Sequence, residues 1–583
     1  MSQITGKSFD FRILLRILSY VKPYRKVFFT TLSLTVFLAF LSPLRPWLVQ
    51  YTIDNFVIIP DSISLLKMVL LMTGLLFVES FIQYVNVMLT NTLGQNVIMD
   101  MRTQLYKHIV HFRLKYFDNN AIGTLITRTI SDIQTIADVF SQGFLEILGD
   151  ILKLLVITVV MFSNDWRLSL VSLSTIPVLL IATYIFKNAI KSSFQDVRTQ
   201  VARLNAFVQE HITGMSIVQL FSREKEEYSQ FQQINEKHKV ANIRSIWHYS
   251  VFFPVVEILS AISIGLLVWW GSKEILHHTF TVGKIVAFIM YINLLFRPIR
   301  QLADRFNTLQ MGMVSSERVF AIIDTDNSIV NEGKLSAEKI NGEIEFKNVW
   351  FAYKKDEWVL KDISFKVNPS KTLALVGATG SGKSTIVSLI NRFYEYDKGE
   401  ILIDGINIRD YELGSLRRSI GLVLQDVFLF SDSIMNNITL NNKHISEEEV
   451  KQATKNIGAN SFIDKLPNGF NYNVMERGAM LSVGQRQLIS FIRAFVYKPR
   501  IFMLDEATSS IDTESELLIQ KATDTLTKQC TSIVVAHRLT TIQKADTILV
   551  IENGMIIESG NHSELLGKNG VYKKLYELQF DKV

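Results

Sequence analysis

Residues 377–385 read GATGSGKST and form a glycine-rich loop of the kind that surrounds a polyphosphate. The apolar runs 373–376 and 386–390 flank it, which predicts a strand, a loop and a helix in that order. Glycines leave backbone N–H groups unobstructed, and these donors with the helix N-terminus favour phosphate groups. Lys383 can reach the β- and γ-phosphates, and the Ser384 hydroxyl can bind Mg²⁺. The predicted nucleotide-binding residues here are Gly377, Thr379, Gly380, Ser381, Gly382, Lys383, Ser384 and Thr385.

Three further apolar runs end in polar side chains suited to the same site. The run 501–504 ends in Asp505 and Glu506, and a buried parallel strand would deliver both carboxylates at its C-terminal edge. Asp505 is suited to hold Mg²⁺ through water, and Glu506 to orient or deprotonate the attacking water. His537 ends a second such run and could contact the γ-phosphate. Gln425 ends a third and could both bind Mg²⁺ and sense the nucleotide.

An aromatic residue lies upstream of the loop. The alternating segment 342–349 predicts a strand that leads to Tyr353. A tyrosine in this position can stack on adenine, which is worth about 1 kcal/mol. The alternative is that Tyr353 is a half-buried strand residue.

Length and composition indicate more than one domain and membrane spans. The chain has 583 residues, of which 48% are hydrophobic and 20% charged, and its mean hydropathy is +0.21. Long apolar runs fill the first half, whereas the sequence after about residue 330 has the pattern of a soluble α/β domain.

The net charge of +6 is modest for this length, so no nucleic-acid partner is expected. Cys530 is the single cysteine; it excludes an intrachain disulfide and is interpreted as a small buried hydrophobe.

Six apolar segments are long enough to cross a bilayer. They are 27–49, 65–88, 145–163, 168–186, 251–271 and 281–300. Pro43 and Pro46 interrupt the first, and the last runs into Pro298. The predicted fold is therefore a six-helix, all-α transmembrane domain over residues 1–330, followed by an α/β P-loop domain over 331–583.

The distribution of basic residues predicts the orientation. The connection 49–64 has no Lys or Arg, whereas 89–144 has five and 187–250 has nine. The two long connections and both termini are therefore expected in the cytoplasm, on the side where ATP is found. Near the N-terminus, Arg12 and Arg16 alternate with apolar residues, and this pattern predicts an amphipathic helix on the membrane surface.

The two long connections have helical patterns with short reversals. These fall at 114–123 and 214–221, and exposed aromatics there suggest docking surfaces. A local contact within a helical hairpin is the alternative.

Taken together, these motifs resemble those of ATP-binding cassette half-transporters of the exporter type, over essentially the whole chain. The most specific element is LSVGQRQ at 481–487, which is similar to the family's signature motif. The resemblance implies that Tyr353 stacks on adenine, Gln425 is the Q-loop residue and His537 the switch histidine. It also implies that two nucleotide domains close face to face. Ser482, Gly484 and Gln485 would then contact ATP held by the other subunit, and Asp512 would lie in the D-loop.

The resemblance further implies that Glu476-Arg477-Gly478 meets the coupling helices, which would be 114–123 and 214–221. One position departs from the family pattern: valine stands at 483 where the family has glycine, which permits close approach to phosphate. An altered signature in a subunit that keeps its catalytic glutamate can indicate an unlike partner. A homodimer is favoured, because every other motif is intact, and a heterodimer stays open.

The expected activity is ATP-driven, Mg²⁺-dependent export or flipping of a hydrophobic or amphipathic substrate, lipid or drug-like, across the cytoplasmic membrane. A non-pumping ATP-gated regulator is the alternative, and loss of Glu506 or His537 would have favoured it. Glu79, Glu257 and Arg297 are among the charged residues that the spans carry, and intramembrane charges are candidates for substrate contact. Glu257, among aromatics, could serve an amphipathic or cationic molecule, or it could simply be paired with a neighbouring helix.

Overall fold

The computed structural model describes residues 11–58, 60–276, 280–327, 329, 331–505, 512–535 and 539–580. It divides into two compact units. The first comprises the chain up to Val110 together with Ala121–Asp326, and the second comprises His111–Asn120 together with Asn327–Val583. A largely helical first unit and an α/β second unit confirm the predicted fold class. The functional boundary near residue 330 stays a prediction.

The first unit is built from long and short helices, with the bounds that follow. They are α1 (Phe11–Ser19), α2 (Arg25–Leu41), α3 (Leu44–Thr52), α4 (Ser62–Ile109), α6 (Ile122–Thr127), α7 (Ile133–Asp138), α8 (Leu145–Asn164), α9 (Trp166–Leu173), α10 (Ile176–Thr213), α11 (Met215–Leu220), α12 (Glu224–Leu276) and α13 (Val282–Ile323). Helix α5 (Leu114–Asn119) belongs to the second unit.

Local chemistry explains several of these boundaries. Asp61 precedes α4 and its carboxylate accepts hydrogen bonds from the backbone N–H groups of Ile63 and Ser64, which satisfies donors that the first turn leaves free. Pro43 separates α2 from α3, as predicted. Pro298, in contrast, lies inside α13, which continues to Ile323. Neighbouring helices make an internal proline tolerable in a span.

Helices occupy all six predicted spans. Five helical stretches among the described residues are long and apolar enough to cross a membrane: Lys22–Val57, Ser62–Ile109, Trp166–Thr213, Glu224–Leu276 and Val282–Ile299. The remaining predicted span corresponds to α8, whose 20 residues would extend about 30 Å. Because α8 is not among those five, a total of six spans stays a prediction.

The second unit contains two sheets. A four-stranded antiparallel sheet has the order β2-β1-β4-β5, and a six-stranded sheet has the order β10-β9-β3-β8-β7-β6. The strands are β1 (Ile344–Ala352), β2 (Trp358–Val367), β3 (Thr372–Val376), β4 (Lys398–Ile403), β5 (Ile406–Asn407), β6 (Ile420–Val423), β7 (Ile501–Asp505), β8 (Thr531–Val535), β9 (Thr547–Glu552) and β10 (Met555–Gly560).

Helices surround these sheets. They are α14 (Lys383–Ile390), α15 (Leu413–Arg418), α16 (Ile434–Thr439), α17 (Glu447–Ile457), α18 (Asn460–Asp464), α19 (Val483–Val496), α20 (Thr513–Thr527), α21 (Leu539–Gln543), α22 (His562–Gly567) and α23 (Val571–Phe580).

The five parallel strands of the six-stranded sheet are buried on both faces. Successive residues of β7 enter different apolar clusters: Phe502 packs in one and Met503 in the other. Strands β9, β3, β8, β7 and β6 are parallel, so their carboxyl ends share one edge, where ligands bind in such sheets. Cys530 is buried as predicted, and burial raises the pKa of its thiol to about 11.

Candidate nucleotide-binding site

The glycine-rich loop lies between β3 and α14, as the sequence predicts. Gly382 immediately precedes α14 and has a φ of +107°, which L-residues with a side chain rarely adopt. A Cβ at this position would also lie 2.6 Å from Cδ2 of Leu360. Glycine is therefore required where the loop turns into the helix.

Lys383 is buried, with only 6% of its surface exposed. Its ammonium group donates to the backbone carbonyl oxygens of Gly377 and Ala378, at 2.8 Å each. Burial lowers the pKa of Lys383, and the nearby Asp505 carboxylate acts in the opposite direction. The loop thus holds a cation that is partly desolvated and whose hydrogen-bond partners are neutral.

Ser381 supplies a second sign that the loop suits a polyanion. Its Oγ is buried and has no hydrogen-bond partner among the described residues. Buried polar atoms are normally satisfied, so each exception needs a reason. A polyphosphate would provide acceptors for both Ser381 and Lys383, and the residues present therefore fit a nucleoside triphosphate.

A cavity of about 420 Å³ opens beside the loop. It brings together most of the residues predicted from separate parts of the sequence. Its lining comprises Tyr353, Val359, Thr379, Gly380, Gly382, Lys383, Ser384, Thr385, Gln425, Asp505 and Val535. Gly377 and Ser381 lie in the loop but not in this lining.

Tyr353 follows β1 at one side of the cavity. Its hydroxyl lies 3.1 Å from Oγ1 of Thr385, and its ring makes edge contacts with Phe351 and Tyr394 at centroid distances of 4.8 and 5.0 Å. The residue is 37% exposed and lines the cavity. Two aromatic neighbours hold the ring beside the cavity, an arrangement that suits stacking on a base.

Ser384, Gln425 and Asp505 line the same cavity. They offer a hydroxyl, an amide and a carboxylate oxygen, which are the hard ligands that Mg²⁺ prefers. The residues therefore fit a magnesium ion, with Ser384, Gln425 and Asp505 as the groups that would hold it. The described part of the chain contains no cluster of three or more His, Cys, Asp or Glu residues that could hold a metal by themselves.

Glu506 and His537 lie outside the described residues. The described strands that precede them end at this cavity: Asp505 ends β7 and Val535 ends β8, and both line the cavity. Strands β7 and β8 are adjacent and parallel, with Asp505 opposite Val535. The catalytic roles of Glu506 and His537 remain predictions.

The predicted signature segment opens α19. Ser482 precedes this helix, and its Oγ accepts from the backbone N–H of Gln485 at 3.2 Å, while Oε1 of Gln485 accepts from the N–H of Ser482 at 3.0 Å. This reciprocal capping box satisfies the helix start internally. Val483 is 42% exposed and Gly484 is buried.

Asp512 caps α20 in a similar way, since its carboxylate accepts from the N–H of Ser515 at 2.9 Å. Among the described residues, none of Ser482, Gly484, Gln485 and Asp512 lines the cavity beside the glycine-rich loop. One chain thus assembles only one side of the predicted ATP site.

Sequence reasoning missed Tyr394. Its hydroxyl donates to the carboxylate of Asp118 in α5, one of the two short reversals predicted from the sequence. Burial and this carboxylate raise the pKa of Tyr394 well above its usual value, so it stays a donor. The same ring contacts Tyr353, and nothing in the sequence pattern distinguishes Tyr394 from an ordinary core aromatic. The predicted contact of Glu476-Arg477-Gly478 with the coupling helices stays a prediction.

Comparisons with known proteins agree with this geometry. The family described as the ABC transporter transmembrane region matches residues 28–299, and the ABC transporter family matches residues 360–509. The ABC transporter ATP-binding protein YknV of Bacillus subtilis is 38% identical over 99% of this chain and 96% of its own length.

Two further relatives carry functional names. The probable multidrug resistance ABC transporter ATP-binding/permease protein YheH of B. subtilis is 37% identical, over 89% of this chain and 78% of its own length. The ATP-dependent lipid A-core flippase of Syntrophus aciditrophicus is 34% identical, over 97% of this chain and 95% of its own length. The chain therefore belongs to the ATP-binding cassette exporters in which a transmembrane region is fused to an ATP-binding domain, as a multi-pass membrane protein with ATPase activity coupled to transport.

Proposed function

We propose that this chain exports or flips a hydrophobic or amphipathic molecule, lipid or drug-like, across the cytoplasmic membrane as an ATP-driven, alternating-access dimer. The supporting observation is the incomplete ATP site. Tyr353, Lys383 and Asp505 share one cavity, whereas Ser482 caps its own helix elsewhere in the unit. A second half-transporter would bring its signature segment to this cavity.

Within that site each side chain has a distinct role. Tyr353 holds the adenine ring, and the loop N–H groups with Lys383 bind the phosphates. Glu506 orients or deprotonates the attacking water, and Gln425 and His537 contact the γ-phosphate side of the site. Ser384, Gln425 and Asp505 would hold Mg²⁺, which would neutralise phosphate charge. Contacts that exist only with ATP between two halves favour the closed state, and hydrolysis removes them.

The tip of the second long connection supports a dimer. Ile217, Leu220 and Phe221, in and beside α11, are 61%, 76% and 67% exposed. A compact apolar tip of this kind is typical of a protein contact. In the proposed assembly α11 contacts the other half.

A homodimer is the simplest assembly, because every motif of a competent site is intact apart from position 483. Val483 is the observation that favours an unlike partner. Its exposed side chain stands at the first position of α19, where the γ-phosphate held by the other half would approach. A site built on this signature would then bind ATP more weakly or hydrolyse it more slowly than its counterpart.

Purification of this chain alone tests both the activity and the partner. Its mass in detergent and its ATPase rate, measured with lipids and with cationic drugs, should show a dimer whose hydrolysis one compound class stimulates. A monomer that hydrolyses ATP only with a different, co-expressed half would contradict the homodimer. A dimer that binds ATP but moves no compound in proteoliposomes would favour the non-pumping regulator.

The proposed orientation places both termini and the ATPase domain in the cytoplasm. It can be tested with single cysteines, since Cys530 is buried. A cysteine at Asp61, just before α4, should react with an impermeant maleimide in intact cells, whereas one at Lys115 should not. Labelling of Lys115→Cys from outside would contradict the orientation.

A further inference from the structure

A cavity of about 580 Å³ lies inside the first unit. Four helical elements line it: the junction of α2 and α3, the middle of α4, the first half of α8, and α13. Its charged lining residues are Arg45, Glu79, Asp150, Lys153, Arg297 and Arg305. Four cations and two anions thus face one space in a unit that is otherwise strongly apolar.

One cation of this set is already neutralised. Arg305 forms an ion pair with Asp150 and a second one with Glu146, whose Oε2 lies 3.1 Å from its Nη2. Among the described residues, by contrast, Arg45, Lys153 and Arg297 make no ion pair or hydrogen bond. Lys153 and Arg297 are attracted to Asp150 without contacting it. With Glu146 counted beside the lining residues, four cations face three anions, so the cavity keeps a net positive charge.

In the predicted six-span arrangement, Lys153 and Arg297 lie at membrane depth. Lys153 is eleven residues from the end of α8 at Asn164, or about 17 Å along the helix. Arg297 is fifteen residues after the start of α13 at Val282, or about 22 Å. Both distances fall well inside the roughly 30 Å thickness of a bilayer core. Unpaired charge is costly there and marks substrate pathways.

Apolar side chains complete the lining. Leu76, Met290 and Leu294 face the same cavity, so the space offers a cationic part and an apolar part side by side. Glu257, the residue that the sequence suggested for a cationic molecule, is not among its lining residues.

We infer that this cavity binds the anionic headgroup of an amphiphile, a phosphate or a carboxylate, through Arg45, Lys153 and Arg297. The inference rests on the proposed export function, whose substrate class it names. The apolar lining takes the beginning of the hydrocarbon tail. Charge attraction in a low-dielectric cavity supplies the preference for the anion.

Direct binding of simple probes tests this site without ATP. The full-length protein is placed in nanodiscs of zwitterionic lipid, and binding of radiolabelled dodecyl phosphate is compared with that of dodecyltrimethylammonium, after subtraction of protein-free discs. Dodecyl phosphate should bind at least tenfold more tightly. Equal binding of the two, or tighter binding of the cation, would overturn the inference.

Substitutions then locate the site. The double variant Arg45→Gln/Arg297→Gln should weaken dodecyl phosphate binding at least tenfold, about 1.4 kcal/mol, whereas Arg45→Lys/Arg297→Lys should retain most of it. Arg167→Gln is the matched control, because Arg167 lies over the ring of Trp166 outside the cavity. ATP binding by each variant verifies its fold.

Two results would contradict the assignment. Unchanged binding in the double glutamine variant would place the anion elsewhere. Equal affinity for inorganic phosphate would mean an inorganic-anion site without a role for the tail. Because these measurements need no hydrolysis, failure of the headgroup site and failure of ATP-driven export give separate results.

Discussion

The glycine-rich loop and the signature segment are both loops that open a helix in the second unit, and they differ in what they leave unsatisfied. In the first, Lys383 is buried against backbone carbonyls and the Ser381 hydroxyl has no partner among the described residues. In the second, Ser482 and Gln485 satisfy each other and Val483 points to the surface.

The two segments therefore have different functions in ATP binding. The loop is a pocket whose polar groups need a polyanion, and it can bind ATP within one chain. The signature segment is complete by itself and offers only an ordered helix start, so it acts when another surface brings phosphate to it. Substitutions in the two places should therefore have different consequences.

The largest effect is expected at Lys383. Lys383→Ala removes the positive charge beside the predicted phosphate position, and loss of one such group costs roughly 10²–10³ in rate. ATPase activity should fall by at least that factor, and ATP affinity should fall with it. Lys371→Ala is the control, because Lys371 pairs at the surface with Asp546. A Lys383→Ala protein with wild-type turnover would show that the glycine-rich loop does not bind the phosphates through Lys383.

A tenfold effect is expected at Tyr353. Stacking of a base on an aromatic ring is worth about 1–3 kcal/mol, so Tyr353→Ala should raise the Kd for ATP about tenfold or more. Tyr353→Phe retains the ring and loses only the contact with Thr385, and its Kd should stay close to that of the wild type. Fluorescence titration with a nucleotide analogue measures the Kd of both variants and of the wild type. Equal Kd values for all three proteins would mean that Tyr353 is only a strand residue.

A smaller change is expected at Val483. Val483→Gly should raise ATPase activity several-fold if the exposed side chain hinders phosphate approach, with a stability cost of about 1 kcal/mol or less in the first helical turn. Val483→Ala removes bulk without adding backbone freedom. An increase in both variants assigns the effect to bulk, whereas an unchanged rate in both would show that valine is neutral here.

The smallest effect is expected from the cap itself. Ser482→Ala should lower the free energy of unfolding by about 1 kcal/mol, and Ser482→Gly by a few tenths. Denaturant unfolding of the variants measures this difference. Because the glycine-rich loop lacks such an internal cap, Ser384→Ala should leave stability nearly unchanged. A larger loss of stability in Ser384→Ala than in Ser482→Ala would reverse the comparison.

The sequence predicted the nucleotide cavity well, because its parts follow local rules. A glycine-rich loop between an apolar run and a helix has one common structure, and buried parallel strands end at a common edge. That rule correctly predicted that Gln425 and Asp505 lie in the same cavity as Lys383, although 80 residues separate Gln425 from Asp505. The two short reversals were likewise predicted, and they are α5 and α11.

Features that depend on long-range packing could not be predicted from the sequence. The partnership of Tyr394 with Asp118 joins residues 276 positions apart and follows no spacing rule. The same holds for the cavity that gathers Arg45, Lys153 and Arg297 from three separate helices. Sequence reasoning found Arg297 as an intramembrane charge but could not place it beside the other two.

A mixing experiment shows whether the ATP site joins the glycine-rich loop of one copy to the signature segment of another. Lys383→Ala and Ser482→Arg chains, each inactive alone, are co-expressed with different affinity tags, and the mixed dimers are purified. In such a dimer the intact loop of one chain meets the intact signature of the other. We predict that ATPase activity returns, to roughly half the wild-type rate if the two sites act independently. Mixed dimers with no activity above that of either parent would contradict the account.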